Sequence, residues 1–358
     1  MQQDTHNAEN SPSAPGAVTE QAVDLSRSYN NRGFLLEREG RLADARREFE
    51  LAIGIHPENA AALNNLGRLL LLQNEPEAAL ALLRRAVACD VSLAPARNNL
   101  GNALLTAGRL DEALEEFRAA LALDPRSTAA QLNLAQTLHA LGELHRARAA
   151  YERLLELSPH DLRGLVQFGL LLAAQTEFSG AAERFEEALR VDAGLTDAWL
   201  NLAIVQLARR NFGSAMDCCR RSLELRPGLS RARYVMALSR LACGDTAAAV
   251  DDLEYVVESD PDFREASANL GVVYLSLGRF EEARVIFRSL LEDQPDSARY
   301  HYHLAVALNG QGEESFAARE YQACLAFADP QSEIHAQARS ALASLAARSV
   351  VGVRIQST

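Results

Sequence analysis

Apolar residues along this chain recur with the three-and-four spacing of one helix face, in two stretches every 34 residues. The stretch "RNNLGNALL" at 97–105 has counterparts in "LNNLGRLLL" from Leu63 and "YNNRGFLLE" from Tyr29, then in "LNLAQTL" from Leu132, "LNLAIVQ" from Leu200 and "ANLGVVY" from Ala268. A fixed period of this size marks a repeat array. Counted from Ser26, nine repeats run without a gap to Gln331.

Within the repeat, certain places are nearly invariant in character. The twentieth is alanine in all nine repeats, from Ala45 to Ala317, and the eighth is always Gly or Ala. One small residue per helix is what two closely packed antiparallel helices need at their crossing. The twenty-fourth place carries bulk, as in Phe49, Leu83, Phe117, Tyr151, Phe185 and Phe287. The thirty-second is often proline (Pro57, Pro125, Pro159, Pro227, Pro261, Pro295), which stops the second helix.

This pattern resembles the tetratricopeptide repeat, whose signature sets W-x2-L-G-x2-Y on the first helix and A-x3-F and P on the second. The sixth repeat even has Trp199 and Leu202 in the first two signature places. Departures are Arg32 at an apolar place of the first repeat, and Val91, Ala193 and Asp329 in place of the terminal proline. The resemblance implies an all-α, right-handed superhelical solenoid of nine helix-turn-helix repeats. These are residues 26–59, 60–93, 94–127, 128–161, 162–195, 196–229, 230–263, 264–297 and 298–331. A capping helix is expected over 332–349, where Ile334, Ala338, Ala341, Leu342 and Leu345 keep helical spacing. Residues 1–25 are expected as a flexible tail and 350–358 as a C-terminal tail.

The asparagines call for a separate account, because they are weak helix formers. The sixth place holds Asn31, Asn65, Asn99, Asn133, Asn201 and Asn269, with Gln167, Val235 and His303 in the other three repeats. In this family the first helix of each pair lines the concave side, so the sixth place faces a groove. A ladder of primary amides there can meet the N–H and C=O of an extended peptide. It resembles the ladder in the superhelix of the O-linked N-acetylglucosamine transferases, which holds extended polypeptides. The alternative is that each asparagine bonds to a neighbouring repeat. Six hydrogen bonds at about 0.5–1.5 kcal/mol each fall short of an association cost of about 4–15 kcal/mol, so side-chain contacts must add to any ladder.

The ninth place offers such contacts. It runs Phe34, Arg68, Asn102 and Gln136, then Leu170, Ile204, Leu238, Val272 and Val306, a change from polar to apolar at the fifth repeat. The apolar half suits the anchors of a peptide or amphipathic helix; its other reading is burial against adjacent repeats. Groove-facing arginines (Arg27, Arg38, Arg68, Arg163, Arg231, Arg299) outnumber the acids Glu37, Asp197 and Glu265, which makes the expected groove mildly basic.

Charge and composition narrow the function classes. The formal net charge is −12, against the clustered positive charge that nucleic acid or an anionic membrane requires. All 36 cations are arginine, so neither a Schiff-base lysine nor a phosphate-loop lysine exists. The five cysteines form no C-x-x-C pair, which fits a reducing, cytoplasmic setting. The polar N-terminus has no apolar signal core, and no run of apolar residues is long enough to insert in a membrane. His301 and His303, two apart on a helix, point to different faces and make a poor metal pair. Cys219 fills a core place, whereas its neighbour Cys218 is a candidate reactive thiol.

Nine repeats of equal length leave no insertion in which to build a catalytic pocket. The expectation is a non-catalytic scaffold, without cofactor or metal, whose partner is a protein or peptide segment in the concave groove. The competing readings are an assembly subunit that uses the convex face or end repeats, and self-association.

Overall fold

The alanine at the twentieth place has no solvent exposure in any repeat, and the bulky residue four places on is equally buried at Phe49, Leu83, Phe117, Tyr151, Phe185, Cys219, Leu253 and Phe287. These two places form the helix crossing that the sequence pattern anticipates. At the eighth place several glycines leave no room for a Cβ against the bulky residue they face. A Cβ on Gly33 would stand 2.7 Å from the Phe49 ring, and one on Gly101 would stand 2.5 Å from Phe117. Each buried Phe or Leu in such a contact contributes about 1.5–3 kcal/mol.

The computed structural model describes residues 19–356, with side chains through residue 347. Contacts divide the chain into an N-terminal unit, Met1–Leu171, and a C-terminal unit, Leu172–Thr358. The N-terminal unit contains α1 (Glu20–Arg38), α2 (Leu42–Ile55), α3 (Ala60–Leu72), α4 (Pro76–Cys89), α5 (Ala94–Thr106), α6 (Leu110–Leu123), α7 (Thr128–Ala140) and α8 (Leu144–Leu157). The boundary falls inside α9 (Leu162–Ala174). The C-terminal unit continues with α10 (Phe178–Val191), α11 (Thr196–Ala208), α12 (Phe212–Leu225), α13 (Ser230–Ala242), α14 (Thr246–Ser259), α15 (Arg264–Ser276), α16 (Phe280–Asp293), α17 (Ala298–Gly310), α18 (Glu314–Phe327) and α19 (Glu333–Gln356).

In each unit consecutive helices pack as hairpins, α1 on α2 through α7 on α8 and α11 on α12 through α17 on α18. The first helices also touch one another, α1 with α3, α3 with α5 and α5 with α7, and in the C-terminal unit α11 with α13 and α15 with α17. In the N-terminal unit they therefore make one continuous face.

The turn within every hairpin is made by a residue at the fifteenth place with φ between 62° and 83°. Glycine supplies it at Gly40, Gly108, Gly142, Gly244, Gly278 and Gly312, but Asn74, Thr176 and Arg210 adopt the same left-handed backbone with side chains attached.

Two terminal expectations need correction. Residues 20–25, assigned to a flexible tail, belong to α1, because Thr19 caps the helix by accepting from the Ala22 N–H at 3.3 Å; residues 1–18 lie outside the described residues. At the other end α19 does not stop at 349 but runs on through 350–356. Residues 357 and 358 lie outside the described residues. Arg32, in the first repeat, is exposed and pairs with Glu48 at 2.6 Å.

Candidate functional site

The asparagine ladder is tied from repeat to repeat. In the N-terminal unit the Asn65 amide donates to Asn30 Oδ1 at 2.9 Å, Asn99 to Asn64 Oδ1 at 2.8 Å, and Asn133 to Asn98 Oδ1 at 3.0 Å. The donor is always at the sixth place, and the acceptor is at the fifth place of the repeat before. Asn64 donates in turn to Asn65 Oδ1 at 3.4 Å, so Asn99, Asn64, Asn65 and Asn30 form a one-way relay of amides. Of the two readings open for these residues, the bond to a neighbouring repeat is realised in the fold. Each amide retains a second N–H and an oxygen lone pair beyond these bonds. Asn31, the first rung, is exposed.

A groove of about 570 Å³ lies over this relay. Phe34 and Arg38 of α1, Asn65 and Arg68 of α3 and Asn98 and Asn99 of α5 line it, and Asp124 and Ser127 close one side. Phe34 is 45% exposed and gives the groove an aromatic wall. Arg68 is not a free cation, because its guanidinium holds the Glu37 carboxylate at 2.5 Å. The groove is therefore closer to neutral than its arginine count suggests. Asn102 and Asn133 stand outside its lining, half-buried on α5 and α7, and Leu170 is half-buried on α9.

Asn98 and Asn64 were not among the sequence-derived candidates. The signal for them was present as doublets, Asn30-Asn31, Asn64-Asn65 and Asn98-Asn99. They end at Leu132-Asn133, one repeat before glutamine replaces asparagine at the sixth place.

The C-terminal unit uses the same bond with another acceptor. Asn269 donates to the Tyr234 hydroxyl at 2.7 Å. Asn201 is half-buried on α11, and Val235 is core. Ile204, Leu238, Val272 and Val306 are half-buried along the first-helix face.

His303 stacks on the Phe287 ring at 5.0 Å, and burial, helped by the Arg299 charge, pushes its pKa down to about 4. It is a neutral imidazole at pH 7. His301 places Nδ1 2.7 Å from Glu320 of its own repeat and Nε2 2.9 Å from the carbonyl of Pro295 in the repeat before, which fixes the ring between the two. Among the described residues no three His, Cys, Asp or Glu side chains come together as a metal site. Cys218 is buried, and desolvation pushes its thiol up to about 11, which argues against the reactive role considered for it.

A buried ion cluster escaped the sequence reading. Asp252 is 4% exposed and accepts from Arg240 at 2.6 Å and Arg233 at 3.4 Å, while Arg233 lies over the Tyr255 ring at 4.0 Å. It joins α13 to α14 inside one repeat, and it is structural.

Antiparallel helix pairs stacked one on the next define a repeat solenoid. Tetratricopeptide-repeat models match residues 24–90, 98–161, 166–230 and 240–307, and the chain belongs to the tetratricopeptide-repeat family. It is similar in fold to pilF of Pseudomonas aeruginosa, at 20% identity over 60% of this chain and 97% of that one, with a TM-score of 0.54. A tetratricopeptide-repeat protein from Parabacteroides merdae matches at 17% identity over 70% of this chain and 98% of its own, also with a TM-score of 0.54. YrrB, described as a tetratricopeptide-repeat protein with an unusual peptide-binding site, matches at 27% identity over 51% of this chain and 95% of its own, with a TM-score of 0.44. No curated protein matches the chain. Proteins of this family bind protein or peptide partners and are typically non-catalytic, and this chain is a protein-interaction scaffold. No helix among the described residues is long and apolar enough to cross a membrane.

Proposed function

We propose that the first-helix face of the N-terminal unit holds an extended peptide segment of a partner protein. The observation that carries this reading is the 570 Å³ groove over the amide relay, lined by Asn64, Asn65, Asn98 and Asn99 and walled by Phe34. Primary amides offer a donor and an acceptor on one rigid plane, which complements the alternating N–H and C=O of extended chain. The inter-repeat bonds fix the orientation of each amide before a ligand arrives, so less ordering accompanies binding. Phe34 supplies the apolar contact that hydrogen bonds alone lack, and the Arg68–Glu37 pair leaves the floor without a dominant charge.

Selection from a random-peptide display library on the full chain tests the reading. The selected peptides are expected to lose most of their affinity on backbone N-methylation and for Phe34→Ala/Arg38→Ala, two exposed positions that leave circular dichroism unchanged. Peptides that tolerate N-methylation and bind the variant equally well refute a main-chain-reading groove at this place.

A further inference from the structure

Two kinds of residue set stand at the junctions between successive repeats. At the junction of the first and second repeats, Arg46 of α2 donates to the Gln73 amide oxygen at 3.1 Å and to the Glu75 carboxylate at 2.9 Å, while its Nε holds Glu50 of its own helix at 3.0 Å. At the junction of the eighth and ninth, Arg284 of α16 donates to Glu313 at 3.0 Å and to Glu281 of its own helix, and Gln311 donates to that same Glu281. The three residue types keep their places: arginine at the twenty-first of one repeat, glutamine at the fourteenth and glutamate at the sixteenth of the next. The sequence sets them together once more, as Arg148, Gln175 and Glu177.

Before every other repeat the twenty-first place is apolar, as Leu80, Leu114, Ala182, Met216 or Val250, and the fourteenth place that follows is never glutamine. Arginine and glutamine therefore occur together or not at all. The physical reason is mutual. An apolar side chain set against glutamine and glutamate takes their water and returns no hydrogen bond, and an arginine set against an apolar residue loses its acceptors. The Arg284 side chain is only 21% exposed, and the turn it holds is seated closely, since a Cβ on Gly310 would stand 2.5 Å from the Phe280 ring. Charge-assisted bonds in such a place are stronger than neutral ones, and salt weakens them.

We propose that these two places are a matching device that fixes which repeats stack. The arginine of one repeat accepts only a repeat that presents glutamine and glutamate, so the ninth repeat closes on the eighth and not, by slipping one repeat, on the apolar Val250 of the seventh. The same device makes the first and last junctions sensitive to ionic strength. It lies outside the amide groove, so it stands or falls independently of the main-chain-reading function.

The test is amide hydrogen exchange, read by mass spectrometry on the full chain at low and high salt. Arg284→Leu is expected to speed exchange in α17 and α18 at least about tenfold. Arg284→Leu/Gln311→Leu is expected to bring it back, because the two places then match Leu114 and Leu141. The reverse conversion uses the junction of the third and fourth repeats, where Asp111 and Glu143 already hold the eighteenth and sixteenth places, as Glu281 and Glu313 do. There Leu114→Arg is expected to speed exchange in α7 and α8, and Leu114→Arg/Leu141→Gln to restore protection. High salt is expected to speed exchange in α18 of the wild type and to leave Arg284→Leu/Gln311→Leu unchanged. Paired substitutions whose effects simply add at either junction, or a wild-type α18 indifferent to salt, overturn the proposal. So does an Arg284→Leu variant that exchanges as the wild type does.

Discussion

Asn99 shows why an asparagine can hold its place in a helix that it disfavours. It is 8% exposed, and its amide N–H reaches Asn64 Oδ1 in the preceding repeat. Asn99→Ala leaves that buried acceptor unpaired, and the expected cost is about 1–3 kcal/mol. Asn31→Ala removes an exposed rung, so its expected change is within about 0.5 kcal/mol. Urea unfolding of the two variants separates the values; equal effects would mean that the inter-repeat bond contributes nothing to stability. His303 makes a second residue-scale prediction. Its pKa falls from the ordinary 6.5 to about 4 on burial, so below pH 6.5 the unfolded chain takes up the proton first. The stability contributed above that pH is therefore lost as the pH falls through the folded value. Between about pH 7 and about pH 4.5 the urea midpoint of the wild type is expected to drop further than that of His303→Gln.

Among the elements, the hairpin turns show the conformation that each repeat demands more sharply than its sequence does. All nine fifteenth-place residues have positive φ, yet Thr176 and Arg210 carry side chains that disfavour it, Thr176 with a branched Cβ. Thr176→Gly and Arg210→Gly are each expected to stabilise the fold by about 1 kcal/mol, read as a higher thermal midpoint. A lower midpoint for both would show that those side chains make compensating contacts. This scale was also the most legible in sequence. The alanine of the twentieth place, the bulk of the twenty-fourth and the terminal prolines set the helix ends, because each reports a steric requirement local to one hairpin. The partner of the ladder amide was harder to read, because it joins the sixth place of one repeat to the fifth place of another and leaves no trace in a single-repeat pattern. The Arg68–Glu37 pair was hidden for the same reason, and the Asp252 cluster, although it lies inside one repeat, was hidden by a second one. Ion pairs between helices depend on side-chain reach, and the 34-residue period does not encode that.

At the scale of the molecule, the thiols serve as reporters of where the chain is closed. Cys89 and Cys243 are exposed, while Cys218, Cys219 and Cys324 are buried. Burial pushes Cys218 up to about 11 and Cys219 up to about 12, so at mildly alkaline pH these two thiols stay protonated. An aromatic disulfide reagent is expected to modify two thiols quickly and three only as the chain unfolds; a third fast thiol would show that the C-terminal unit opens in the native state. The bond between the sixth place of one repeat and the fifth place of its predecessor also bears on how the array can be edited. Excising residues 60–93 would bring Asn99 opposite Asn30, and donor would still meet acceptor. Excising residues 230–263 would bring Asn269 opposite Leu200, which has nothing to accept with. Repeats of identical length are thus not interchangeable parts. Their joints are keyed, and the key decides which cuts the chain can survive and which recombined arrays would come apart at the splice.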